Sequence, residues 1–150
     1  MRIHHLAFVA VLSACAATAH AQAPTSTPRP SANELVVSYL AAWNERDPVR
    51  RRDLVNRTWA DTGTYADPHR HGEGPAAIDA MIATAQARYP NYRMRLVSSI
   101  EAQNRYVRFG WAAGGAADAP LYLAGTDFFV LGDDGRVQSV AGFVDATPAH

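Results

Sequence analysis

The sequence predicts an α+β domain in which three N-terminal helices pack across a strongly curved antiparallel β-sheet. Three observations carry this. Apolar residues recur at helical spacing from Leu35 to about Ala85. Period-two alternation takes over after the Tyr89-Pro90-Asn91 break. A hairpin turn at Asp133-Asp134-Gly135 then joins the last two strands. A run of helices followed by a run of strands gives α+β, because alternating units would be needed for a parallel α/β sheet. With 150 residues and 48% hydrophobic content, one domain can bury a substantial core.

Residues Met1 to Ala21 read as a signal peptide. Arg2 and two histidines form a short positive region, Leu6 to Ala19 is apolar but too short to span a bilayer, and Ala19-His20-Ala21 fits a cleavage site. The expected location is therefore periplasmic or secreted. Leu12-Ser13-Ala14-Cys15 offers the alternative of a lipoprotein anchored through Cys15, the one route by which a membrane becomes a partner. Residues 22–30 are a linker of Pro, Thr, Ser and Ala, 31–146 the domain, and 147–150 a tail.

Ser31-Ala32-Asn33-Glu34 is a capping box, and Leu35, Val36, Tyr39, Leu40 and Trp43 continue helix one to about Glu45. Asp47-Pro48 starts helix two, with Leu54, Val55 and Trp59 on its apolar stripe and Arg50-Arg51-Arg52 read as a solvated face. Thr64 to Asp67 is a short strand stopped by Pro68, and residues 69–74 form a loop. Helix three follows, with Ile78, Met81, Ile82 and Ala85 inward. The strands are Tyr92–Ala102, Arg105–Ala113, Leu121–Leu131 and Val137–Val144, and small residues from Gly114 to Pro120 make one connection. Leu121–Leu131 is apolar on both faces, so a partner subunit is expected to cover the outer one.

Three polar residues interrupt this pattern. Tyr39 lies on the apolar stripe of helix one, Asp127 alternates with Leu123, Phe129 and Leu131, and Asp67 shares parity with Tyr65. A tyrosine and two acids converging on an apolar cavity suit proton chemistry, since burial raises a carboxyl pKa and separates a donor acid from a base. Each residue also has a plainer reading. Asp67 suits an Asp-Pro turn cap, Asp127 a buried acid bonded to loop backbone or an arginine, and Tyr39 a packing aromatic.

Tyr39–Asp47, Trp59-Ala60-Asp61 through Tyr65-Ala66-Asp67-Pro68, Gly72–Ile78, Gly125-Thr126-Asp127-Phe128-Phe129 and Asp134–Val137 together resemble the NTF2-like superfamily, in its SnoaL-like and ketosteroid isomerase-like branch. The resemblance implies a cone of curved sheet closed by helices, an apolar pocket in its mouth, and a homodimer through the outer sheet face. In ketosteroid isomerases a helix-one tyrosine and a protonated aspartic acid stabilise an oxyanion while a second aspartate moves the proton. Tyr39, Asp127 and Asp67 fall on those positions.

The expected catalytic set is thus Asp67, Tyr39 and Asp127. The expected ligand-contacting set is Trp43, Trp59, His69, His71, Ile78, Met81, Trp111 and Phe143. His69-Arg70-His71 lies in a loop between Pro68 and Gly72, so no metal is assigned to it, and no cofactor motif is present. Lys+Arg and Asp+Glu both number 14, which leaves no field to draw in nucleic acid. Two functions stand side by side: a proton-transfer enzyme of isomerase or cyclase type, and a non-catalytic binding protein for a small hydrophobic ligand. A third is an interaction module whose own side chains fill its pocket.

Overall fold

The computed structural model describes residues 29–115 and 121–145. The expected signal peptide, most of the linker, the tail and residues 116–120 of the small-residue connection lie outside them. Helix α1 spans Ala32–Asn44 and begins at the expected capping box, where the Ser31 backbone N–H donates to Glu34 Oε2 at 2.7 Å. Helix α2, Pro48–Thr58, is capped by Asp47, whose Oδ1 accepts from the Val49 and Arg50 amides at 3.0 and 2.9 Å. It runs directly into strand β1, Trp59–Ala66. Strand β2, His71–Glu73, and helix α3, Gly74–Arg88, follow, and then β3, Arg93–Leu96; β4, Glu101–Gln103; β5, Tyr106–Gly114; β6, Leu121–Leu131; and β7, Val137–Val144.

The seven strands form one sheet in the order β2-β1-β7-β6-β5-β3, with β4 also on β5. The expected antiparallel meander holds for β5, β6 and β7. It does not extend to β1, which pairs parallel with β7. A parallel pair needs a long crossover, and here the crossover is the whole chain between those strands. The loop expected at 69–74 is in part β2, which folds back on β1 as a hairpin.

The single strand expected over Tyr92–Ala102 is two pieces, because the chain leaves the ladder between them. There the Gly110 amide donates to the Ser98 hydroxyl at 2.7 Å, so a side chain takes the place of a strand carbonyl. Leu96 is 41% exposed at this break.

The core lies between the helices and the concave sheet face. Val36 and Tyr39 of α1, Val55 of α2 and Ile82 of α3 meet Trp59, Phe109, Phe129 and Val137. Arg51, expected on a solvated face, is buried and donates from Nε to Asp79 Oδ1 of α3 at 2.7 Å. Its Nη1 reaches Gln86 Oε1, and the Gln86 amide in turn donates to the carbonyls of Trp43 and Glu45 at the end of α1. One buried network thereby ties all three helices together beside the mouth of the cone.

Candidate functional site

Asp67 opens the turn between β1 and β2, and its amide donates to the Arg70 carbonyl at 2.9 Å. Aspartate first and proline second are the residues such a turn favours. The Asp67 carboxylate Oδ1 accepts the His69 and Arg70 amides, each at 2.7 Å. Oδ2 accepts the Tyr65 hydroxyl at 2.9 Å and Arg70 Nη1 at 3.0 Å. A carboxylate offers about four lone-pair sites, so this one is saturated. Burial pushes the carboxyl up, but the hydrogen bonds from the His69 backbone, Tyr65 and Arg70 outweigh it and hold the group below its ordinary value.

Tyr39 and Asp127 form a second, deeper group, and both are 0% exposed. The Tyr39 hydroxyl donates to Asp127 Oδ2, and the Trp111 indole N–H donates to Oδ1 at 2.9 Å. The register explains the second contact. Trp111 on β5 lies opposite Gly125 on β6, so Asp127 is its diagonal neighbour on the same face. A Cβ on Gly125 would come within 2.6 Å of Trp111 Cζ2 and 2.2 Å of the Phe143 carbonyl, so the indole seats where it does only over glycine. Among the described residues no cation pairs with Asp127, whose partners are Tyr39 and Trp111 in place of the loop backbone or arginine expected for a buried acid. Burial raises its carboxyl to about 6 against the opposing bonds from Tyr39 and Trp111, and the charge on Asp67 adds to the rise.

The two groups meet at Gly142 of β7. A Cβ there would lie 3.0 Å from Asp127 Oδ1, 3.1 Å from Asp67 Cβ and 3.3 Å from the Tyr65 hydroxyl. Tyr39, Asp67 and Asp127 thus share the inner sheet face. They do not share solvent access to the cavity.

That cavity, about 300 Å³, opens between α3, the end of α1 and the concave sheet. Of the expected residues, Asp67, Trp43, His69 and Trp111 line it. Tyr39 and Asp127 are sealed beneath it by Trp43, Tyr65 and Trp111. Trp59 is fully buried in the core, with its ring centroid 5.3 Å from that of Tyr39. Ile78 is also fully buried, packed under Gly72.

Met81 and His71 face a separate, more open groove on the outer side of α3, because the β1–β2 turn divides the two spaces. Phe143 points to the outer sheet face and is 61% exposed, since it alternates with Gly142. Pocket residues without a prior sequence signal are Arg46, Gln86, Tyr89 and Tyr92. Each sits at or beyond a helix end, where periodicity carries no information.

The comparisons agree with this architecture. A family model described as the SnoaL-like domain matches residues 36–140. The chain is 39% identical, with a TM-score of 0.71, to a candidate isomerase of the SnoaL-like family from Agrobacterium tumefaciens strain C58. That match covers 75% of this chain and 95% of that one. The chain therefore belongs to the SnoaL-like family of the NTF2-like fold.

A candidate polyketide cyclase from Sinorhizobium meliloti shares the fold at 17% identity and a TM-score of 0.57, over 72% of this chain and 92% of that one. A cystatin-like fold protein of unknown function from Methylobium petroleophilum does so at 14% and 0.62, over 82% and 83%. A search of curated proteins finds no match.

Proposed function

We propose that this protein binds a small, mostly apolar molecule in the cavity under α3, without turning it over through Asp67. The observation that carries this is the saturation of Asp67. A general base needs an unoccupied lone pair aimed at the substrate and a pKa near the working pH. Asp67 has four donors on it and is held below its ordinary value. Tyr39 and Asp127, bonded to each other and sealed, offer no donor to an oxyanion. The carbon-rich part of the lining is an aromatic cup of Trp43, Tyr65, Tyr92 and Trp111 with Met94 and Leu123, suited to ring or chain carbon.

The second reading, proton transfer of isomerase or cyclase type, is supported by the meeting of Asp67, Tyr65 and Asp127 at Gly142 and by the 39%-identical candidate isomerase. The test is a paired measurement on the 31–146 domain. Quenching of Trp43 and Trp111 fluorescence by a neutral phenylalkyl amide reports binding, and isomerisation of a β,γ-unsaturated ketone reports turnover. Binding with no turnover is the expected result. Turnover that falls by ~10²-fold or more in Asp67→Asn would establish the enzyme instead.

Export through the N-terminal 21 residues and a homodimer through the outer sheet face complete the proposal. The signal-like sequence supports the first. Exposed Tyr106 and Phe143 support the second.

A further inference from the structure

The cavity lining contains two arginines and one carboxylate, and that carboxylate is paired with Arg70 at 3.0 Å. Arg46 is left as the uncompensated charge. It follows α1, and its guanidinium is held by carbonyls alone: Nη1 donates to Gln86 O at 3.1 Å, and Nη2 donates to Pro90 O at 2.6 Å and Tyr92 O at 3.3 Å. Those bonds use three of the five donors that a guanidinium carries. No acid lies among its partners in the described residues. The nearby acid Glu45 is engaged by Arg50 at 3.0 Å.

The carbonyl cage fixes a half-buried cation at the cavity wall without neutralising it. Burial, and then the neighbouring charge of Arg93, both disfavour the charged form of Arg46. An anion placed here would offset each of those costs, whereas a neutral ligand would leave them standing.

We infer that the ligand of this cavity is an amphipathic monoanion, an apolar ring or chain bearing one carboxylate, with the carboxylate on Arg46 and the carbon body in the aromatic cup. This rests on the binding reading above and specifies the ligand class. The caged arginine suits a carboxylate, because a guanidinium whose orientation is already fixed loses little freedom on forming a charge-assisted hydrogen bond through a donor that the carbonyls leave unused. The cup supplies the other half of the recognition: Tyr89 and Tyr92, whose ring centroids are 4.8 Å apart, stand beside Arg46 at the wall.

The test is a charge series on one skeleton, 4-phenylbutyrate, 4-phenylbutyramide and 4-phenylbutylamine, titrated by tryptophan quenching into the full chain. The acid should bind at least about tenfold more tightly than the amide, and the amine more weakly than either. In Arg46→Gln the acid-to-amide ratio should fall to near one, and Arg46→Lys, which keeps the charge and loses the carbonyl cage that orients it, should give an intermediate ratio. Equal binding of acid and amide by the wild-type protein overturns the inference while leaving the apolar pocket intact. This result needs no variant to fold. A full acid preference retained in Arg46→Gln also overturns it, since the anion would then sit elsewhere. Failure of all three probes to bind removes the pocket reading together with the inference.

Discussion

Asp67 and Asp127 occupy the same inner face yet are shifted in opposite directions from the ordinary aspartate value, because one is saturated by charged and backbone donors and the other is buried with two neutral ones. The raised group contributes stability that is present below the ordinary aspartate value and lost as pH rises through about 6. The lowered group contributes stability that is present above that value and lost on further acidification. Over roughly pH 4 to 7 the Asp127 contribution should cost the wild-type protein on the order of 3 kcal/mol. Asp127→Asn, whose amide keeps the shape and has no proton to lose, should flatten that slope in urea midpoints measured at pH 4.5, 5.5 and 7. An unchanged slope would mean that Asp127 does not titrate there.

Gly125 gives a second residue-scale expectation. A methyl group has no room against Phe143 O and the Trp111 ring. Gly125→Ala should therefore destabilise by about 1–3 kcal/mol and displace Trp111, visible as a shift in its fluorescence. The anomaly of Asp127 was legible in its parity with apolar neighbours. Its partner Trp111 was not, since a diagonal contact depends on a register that sequence alone leaves open.

At the scale of elements, the three helices act as one lid because Arg51, Asp79 and Gln86 are buried together. Removing one partner of such a pair strands the other's charge, so Asp79→Ala should cost roughly 3–5 kcal/mol in chemical denaturation. The double change Arg51→Met with Asp79→Leu should recover most of that loss, and no recovery would show that the pair specifies the helix arrangement beyond its own electrostatics. The sequence identified all three helices and the Ser31 and Asp47 caps of the first two, because capping residues and apolar spacing act locally; Trp59, expected on the stripe of helix two, instead opens β1. It misassigned Arg51 within the basic run 50–52, since nothing local distinguishes the arginine that faces α3 from its two exposed neighbours. The same limit explains the split strand. Ser98 reads as one more alternating position, but its hydroxyl takes the Gly110 amide and bends the ladder.

At the scale of the molecule, the outer sheet face carries Tyr106 stacked on Phe128, ring centroids 5.6 Å apart, with Phe143 exposed nearby. A two-fold dimer through this face is the expected assembly. Light scattering at micromolar concentration should give twice the monomer mass, and Phe143→Glu should restore the monomer; a wild-type monomer would refute the assembly. The cone itself was legible from helix and strand order and from the family motifs, whereas the parallel β1–β7 pair was not, because no local signal announces a pairing between the first long strand and the last. That pairing makes β1 depend on the last strand to be synthesised. While the ribosome still holds the residues beyond Leu131, β1 has no neighbour on its inner side, Gly142 has not arrived to seat Asp67 against Asp127, and the emerged helices have an incomplete floor to close on. A chain stopped ahead of Val137 therefore lacks the strand between β1 and β6, and with it the Gly142 position against which Asp67 and Asp127 both rest.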